Sequence, residues 1–114
     1  MQEISETPIF LKSYDLYKSI YDAIKKYPKG DRYSLGEKTK EAILGLISAI
    51  IKAGYAKKEW KASHIEQASI CLELIKIFLR LGYDTRCLTE KQHLSFQEQA
   101  QEIGRMLGGW KRSV

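Results

Sequence analysis

The chain has 114 residues, 44% hydrophobic and 29% charged, a composition typical of one compact globular domain spanning residues 1–114. With only two Pro and eight Gly, neither a disordered linker protein nor a turn-rich β-sandwich is expected. The 19 Lys and Arg outnumber the 14 Asp and Glu, and the net charge of +5 favours acidic partners such as nucleic acid. The opening segment MQEISETPIF lacks the features of a signal peptide, and no window resembles a membrane span, so we expect a cytoplasmic protein with no membrane partner.

The first two predicted helices are separated by an aromatic-proline turn. The first covers about residues 8 to 26, with Thr7 as N-cap before a proline that suits the first helical turn. The segment YPKGD then ends this helix. The second predicted helix covers residues 34 to about 55, and its start has the pattern of a capping box between Ser34 and Glu37.

The third and fourth predicted helices complete the chain. The third covers about residues 58 to 81, and Gly82 is expected to end it in the left-handed conformation. The fourth begins after Thr89, with Gln92 as its capping-box partner, and reaches residue 110 or beyond. Four helices with short connections predict an all-α, antiparallel up-down four-helix bundle.

The third predicted helix carries two apolar stripes when its residues are placed at about 100° intervals around the axis. The stripe that suits the bundle core consists of Ile65, Ala68, Leu72, Ile75 and Leu79. Almost opposite to it lie Ile70, Leu74, Ile77 and Leu81. Because a helix in such a bundle buries one face, this second stripe predicts an oligomer interface with another copy of the chain. The second helix extends its apolar arc in the same way with Leu44, Ile47 and Ile51. An irregular bundle with one central helix is the alternative.

Residues that could support catalysis or metal binding are few. Glu90 and His93 have the Glu-x-x-His spacing of di-iron bundles, but such sites need a second copy of the motif and further inward carboxylates. His64 has no Cys, Ser or Asp at a cooperating spacing. Cys71 and Cys87 fit no disulfide framework and are expected to be reduced. We therefore expect no catalytic residues, no metal site and no cofactor, and an enzyme using Glu90 and His93 is the less favoured alternative.

Basic residues gather near one predicted end of the bundle, because an up-down topology brings the second connection together with both termini. The predicted nucleic-acid-binding residues are Lys57, Lys58, Lys61, Arg105, Lys111 and Arg112, together with Trp60. Cations beside aromatic faces form the combination that binds single-stranded nucleic acid. Alternatively, Trp60 and Trp110 close the end of the core, and the cations offset helix dipoles. The sequence leaves both interpretations open.

Three segments occur together in the order found in one known family. They are TPIFLKSYDLYKSIYDAIKKYPKGDRYSLGEK, FLRLGYDTR and TEKQHLSFQEQAQEIGRMLGGWKRS. Over nearly its whole length the chain resembles the accessory variability determinant (Avd) proteins of diversity-generating retroelements, most sharply in the terminal IGRMLGGW segment.

This resemblance implies a non-enzymatic accessory subunit that forms a homopentameric barrel of four-helix bundles. It also implies a basic surface that binds the element's reverse transcriptase and RNA or DNA during mutagenic retrohoming. The parent group includes bundle proteins encoded in intervening sequences of large-subunit rRNA genes. A structural interaction protein of that type, without a polymerase partner, is therefore the alternative function.

Overall fold

Four antiparallel helices surround a common core in the computed structural model, which describes residues 3–114. Each helix packs against its two neighbours in the chain-order ring, so that the first also contacts the fourth. The Cα atoms extend over 44 × 22 × 21 Å. No strand occurs in this part of the chain, which confirms the predicted all-α four-helix bundle. The helices are α1 (Pro8–Ile24), α2 (Glu37–Tyr55), α3 (Lys58–Asp84) and α4 (Glu90–Ser113).

The core is built from one apolar row on each helix, as the spacing predicts. The inward stripe of α3 is confirmed, since each of its five residues is no more than 2% exposed. The corresponding row of α4 recurs at intervals of four and three residues, and all of it is buried: Phe96, Ala100, Ile103 and Leu107. These rows hold the four helices together through the burial of apolar surface.

The start of α4 has the predicted capping box. The backbone N–H of Gln92 donates to the Thr89 hydroxyl at 3.1 Å, and the Thr89 backbone N–H donates to the Gln92 side-chain oxygen at 2.9 Å. Two of the N–H groups that a helix start leaves without intrahelical partners are thereby satisfied.

The start of α2 differs from the prediction, and the expected capping box at Ser34 is wrong. Helical backbone begins earlier, directly after Pro28, with a short α-helical turn (Lys29–Asp31) and a π-helical segment (Arg32–Gly36) that continues into α2. Because Ser34 is already inside helical backbone, its hydroxyl donates to the Gly30 carbonyl one turn back, at 2.8 Å.

The expectation that Gly82 ends α3 is also wrong, because α3 continues for two residues beyond it. The left-handed residue is Arg86, with φ of 66°, and the N–H groups of Cys87 and Leu88 donate to the Gly82 carbonyl at 2.7 and 3.1 Å. Gly82 is needed for close packing: a Cβ atom there would stand 2.9 Å from the hydroxyl oxygen of Tyr27.

Candidate nucleic-acid interface and subunit surfaces

The connection between α2 and α3 lies beside the first described residues and the end of α4, and we call this the connection end. Ile4 packs against Gly54, and the Tyr55 hydroxyl donates to the Glu3 carboxylate at 3.2 Å. The charge of this carboxylate raises the pKa of Tyr55. A cavity of about 450 Å³ is lined from all three segments, by Glu3, Ile4, Thr7, Ile9, Gly54, Tyr55, Lys61 and Trp110.

Three of the predicted nucleic-acid-binding residues are exposed together at this end, and we call them the connection cluster. Lys57 occupies the N-cap position of α3 and Lys58 its first position, and neither forms an ion pair within residues 3–114. Trp60 follows with 61% of its surface exposed. Trp110, by contrast, is half-buried and packs against the core. The two tryptophans therefore differ: only Trp110 closes the end of the core.

Lys61 and Lys111 have partners of their own. The Lys61 ammonium donates to the carbonyls of Ala53 and Gly54, at 2.8 and 3.2 Å, and therefore caps the last turn of α2. A cation at this position also offsets the negative end of the helix dipole. The Lys111 ammonium lies 3.5 Å from a Glu66 carboxylate oxygen, in an exposed ion pair. Both cations therefore have intramolecular contacts that the connection cluster lacks.

The side chains of Arg105 and Arg112 line a groove of about 530 Å³ between α3 and α4, which Arg112 enters from the last turn of α4. Gly104 packs against Leu72, so neighbouring Arg105 lies level with the middle of α3 rather than at the connection end. The groove also contains Lys76, which was not predicted as a binding residue because its helical position suggested only a solvated flank. We call this the α3/α4 groove; it is lined by Ser69, Leu72, Glu73, Lys76, Gln101, Gly104, Arg105, Gly108 and Arg112.

The Glu90 and His93 pair is not arranged as a metal site. Glu90 is exposed in the first turn of α4, whereas the His93 ring stacks on Tyr83 with ring centroids 4.8 Å apart. The Gln97 amide lies 3.1 Å from the His93 ring nitrogen. Across residues 3–114, no three His, Cys, Asp or Glu side chains come together to hold a metal ion. Within the same range, no helix has the length and apolarity needed to cross a membrane.

Both cysteines are free thiols and half-buried, in agreement with the sequence. Cys71 packs at the contact of α2 and α3, where a Cβ atom on Gly45 would stand 3.3 Å from its sulfur. Burial raises the pKa of the Cys87 thiol, which therefore stays protonated at neutral pH. A protonated thiol is a weak nucleophile, and neither cysteine belongs to the basic clusters.

The second stripe of α3 is exposed to solvent, as the helical spacing predicts. Its four side chains have 42–57% of their surface exposed, although all are large and apolar. We call this surface the α3 stripe; it consists of Ile70, Leu74, Ile77 and Leu81.

A second apolar surface spans α1 and α2, and the spacing of apolar residues predicts only its α2 part. Leu44 and Ile51 are exposed and Ile47 is half-buried. The Lys40 ammonium lies 5.4 Å from the ring centroid of Tyr21, which places this row of α2 beside an aromatic row of α1. Stacked ring pairs with centroids 6.0 Å apart form that row. We call the whole surface the α1/α2 face, which consists of Phe10, Tyr14, Tyr17, Tyr21, Leu44, Ile47 and Ile51.

The fold and its surfaces define a small basic four-helix bundle with two exposed apolar surfaces and two groups of cations. The sequence model of the bAvd-like family matches residues 9–114, and the chain belongs to this family. The match runs from the second residue of α1 through all four helices, and it confirms the resemblance to Avd-type proteins. No curated protein matches the chain.

Proposed function

We propose that this protein is a non-enzymatic accessory subunit of a diversity-generating retroelement. It binds the element's reverse transcriptase, and it binds RNA or DNA through its basic surface during mutagenic retrohoming in the cytoplasm. Membership in the bAvd-like family supports the retroelement context and the polymerase partner. The observation that carries nucleic-acid binding is the connection cluster, in which two lysines without carboxylate partners precede an exposed indole ring by two and three residues at the start of α3.

The connection cluster suits a single strand for two reasons. Lysine ammonium groups attract phosphates of any sequence, and each contact releases counterions from the strand. The indole ring of Trp60 offers a flat apolar surface on which a base can stack. Neither contact depends on base identity, so binding through this cluster has little sequence preference.

The proposed assembly is a homopentameric ring in which the α1/α2 face of one copy packs on the α3 stripe of the next. Contiguous rows of exposed apolar side chains are typical of contacts between proteins. Because the two surfaces are different, a contact between them is head-to-tail and generates a ring when the rotation closes. The two surfaces lie on different helices, so one copy can use both at once. The number of five copies is what the resemblance to Avd-type proteins implies.

A salt titration with single-stranded oligonucleotides of unrelated sequences tests the proposed function. We expect the logarithm of the affinity to fall linearly with the logarithm of the salt concentration, with the same slope for all sequences. The double variant Lys57→Gln/Lys58→Gln should weaken binding and flatten the slope. Lys26→Gln/Lys29→Gln is the matched control, because both lysines are exposed and form no ion pair within residues 3–114 but lie at the opposite end.

Co-purification tests the polymerase partner. The chain should be retained by the reverse transcriptase of the proposed retroelement, when the two are expressed together. A bundle protein of the rRNA intervening-sequence type would lack this partner. Absence of both oligonucleotide binding at low salt and retention by the polymerase would contradict the proposal.

A further inference from the structure

The α3/α4 groove is separate from the connection cluster and from both apolar surfaces. Gly104 and Gly108 contribute no side chain to it, which leaves the space between the two helices open. Three cations, Lys76, Arg105 and Arg112, reach this space from both helices. One acidic residue, Glu73, also lines it. The groove therefore carries an excess of positive charge.

The three cations differ in how they are engaged. Lys76 is paired with Glu73, whose carboxylate oxygen lies 3.2 Å from the ammonium nitrogen. Arg105 and Arg112 form no ion pair within residues 3–114. The Arg112 guanidinium lies along the backbone of α4, since Cβ atoms on Gly108 and Gly109 would stand 3.4 and 3.9 Å from its two terminal nitrogens. The guanidinium thus lies at the groove wall, with its donors uncommitted to a carboxylate.

We propose that this groove binds the phosphodiester backbone of a nucleic-acid strand, with Arg105 and Arg112 each contacting a phosphate. The inference rests on the proposed function, because it takes nucleic acid as the partner, and it adds a site that positions the strand. A guanidinium presents paired N–H donors that match the oxygens of a phosphate. The two arginines are seven residues apart on α4, which separates them by about 10 Å along the helix axis and allows both to contact one strand.

The other lining residues also suit a backbone rather than bases. Gln101 lines the groove from α4, and its side-chain amide is a further donor. Ser69 lines it from α3, where its hydroxyl donates to the Ile65 carbonyl at 3.2 Å and leaves the oxygen as an acceptor only. No aromatic residue lines the groove, so it offers no surface for base stacking. The connection cluster, with Trp60, and the groove, with its arginines, thus make different contacts with the same strand.

Two kinds of variant test the positive charge of the groove and its open space separately. In Arg105→Gln/Arg112→Gln the positive charge is removed, and affinity for single-stranded oligonucleotides should fall about tenfold or more at low salt. The salt slope should decrease by about 1.4, which corresponds to two phosphate contacts on a single strand. In Gly108→Leu all charges remain, but the new side chain occupies the groove and displaces the Arg112 guanidinium, so affinity should fall as well. Gly109→Ala is the matched control, because its methyl group makes only an ordinary contact.

Circular dichroism should show unchanged helix content for all variants, and light scattering should show unchanged mass. If Gly108→Leu does not fold, the single variant Arg112→Gln provides the test. Wild-type affinity in the double arginine variant would overturn the groove but leave the proposed function intact. Failure of the wild-type chain to bind any oligonucleotide would overturn the groove together with the nucleic-acid-binding part of the proposed function. Binding of polyglutamate, with oligonucleotide affinity unaffected by the arginine substitutions, would make the groove a peptide site and overturn the inference.

Discussion

The hydroxyl oxygen of Tyr27 lies so close to Gly82 that a Cβ atom on the glycine would stand 2.9 Å from it. Tyr27 follows α1, whereas Gly82 belongs to the last turns of α3, so the contact ties the end of one helix to another. The Tyr27 side chain is buried, and its hydroxyl has no hydrogen-bond partner within residues 3–114. The glycine is therefore a packing requirement, and the buried hydroxyl is a source of pH dependence.

Replacing Gly82 with alanine should lower the free energy of unfolding by about 1–3 kcal/mol, because the Tyr27 ring must shift to accommodate the methyl group. Urea denaturation measures the change. Gly30→Ala is the control: Gly30 is in the helical turn before α2, and a Cβ atom there meets nothing within 4 Å. That substitution should be neutral or stabilising, by up to about 1 kcal/mol. Equal effects of the two substitutions would contradict the packing role of Gly82.

Tyr27 should make the free energy of unfolding fall at high pH. Burial, with smaller contributions from the charges of Cys87 and Asp31, raises the pKa of Tyr27 from 10.0 to about 12. Between these values the unfolded chain has lost a proton that the folded chain keeps, so stability falls as the pH rises through this window. Below pH 10 the group has no such effect. Urea denaturation at pH 9 and 11 should show a smaller loss for Tyr27→Phe than for the wild type.

The capping box of α4 should contribute measurably to stability. Thr89→Ala removes the hydroxyl that accepts from the Gln92 N–H and should cost about 0.5–2 kcal/mol in thermal or urea denaturation. Ser34→Ala serves as the comparison, since the Ser34 hydroxyl bonds a carbonyl inside helical backbone and caps nothing. We expect that substitution to change stability little. A larger loss from Ser34→Ala would restore the capping role that the sequence pattern suggests.

Assembly should depend on the α3 stripe. Leu74→Glu or Ile77→Glu would bury a charge at the proposed subunit contact and should shift the mass measured by light scattering towards the monomer, with helix content retained. Leu94→Glu is a matched control, because Leu94 is an exposed leucine on α4 outside both apolar surfaces. A wild-type mass near 13 kDa at micromolar concentrations would end the case for an oligomer.

The two tryptophans should respond differently to replacement by alanine. Trp60→Ala should weaken binding of single strands by about 1–3 kcal/mol while leaving the melting temperature nearly unchanged, because the exposed ring packs little against the core. Trp110→Ala should lower the melting temperature, because its ring packs on the core. If Trp60→Ala destabilised the fold as much as Trp110→Ala, the stacking role would be lost.

Helical spacing predicts those features that depend on one helix alone. The buried row of α4 and both stripes of α3 follow from intervals of three and four residues, and the capping box at Thr89 follows from a local motif. The motifs at Ser34 and Gly82 misled for different reasons. Pro28 starts the helical backbone early, and the Tyr27 ring requires a glycine inside α3.

Which residues meet in a candidate site depends on how neighbouring helices are aligned. The apolar spacing within one helix does not reveal this alignment. Arg105 is seven residues before Arg112 and was assigned to the same end of the bundle. The packing of Gly104 on Leu72 instead sets Arg105 at the level of the middle of α3. Likewise, the aromatic row of α1 belongs to a larger apolar face because α1 and α2 are aligned side by side. The contact of Lys40 with the Tyr21 ring shows this alignment.

Both tryptophans of the chain lie at the connection end, and this gives the protein an intrinsic optical reporter of that end. The exposed Trp60 indole should emit at long wavelength and be accessible to a soluble quencher such as iodide, whereas the half-buried Trp110 should emit further to the blue and be shielded. A strand stacking on Trp60 would change the red part of the spectrum without any label. Binding at the opposite end, around Tyr27 and Arg86, would leave the tryptophan emission unchanged.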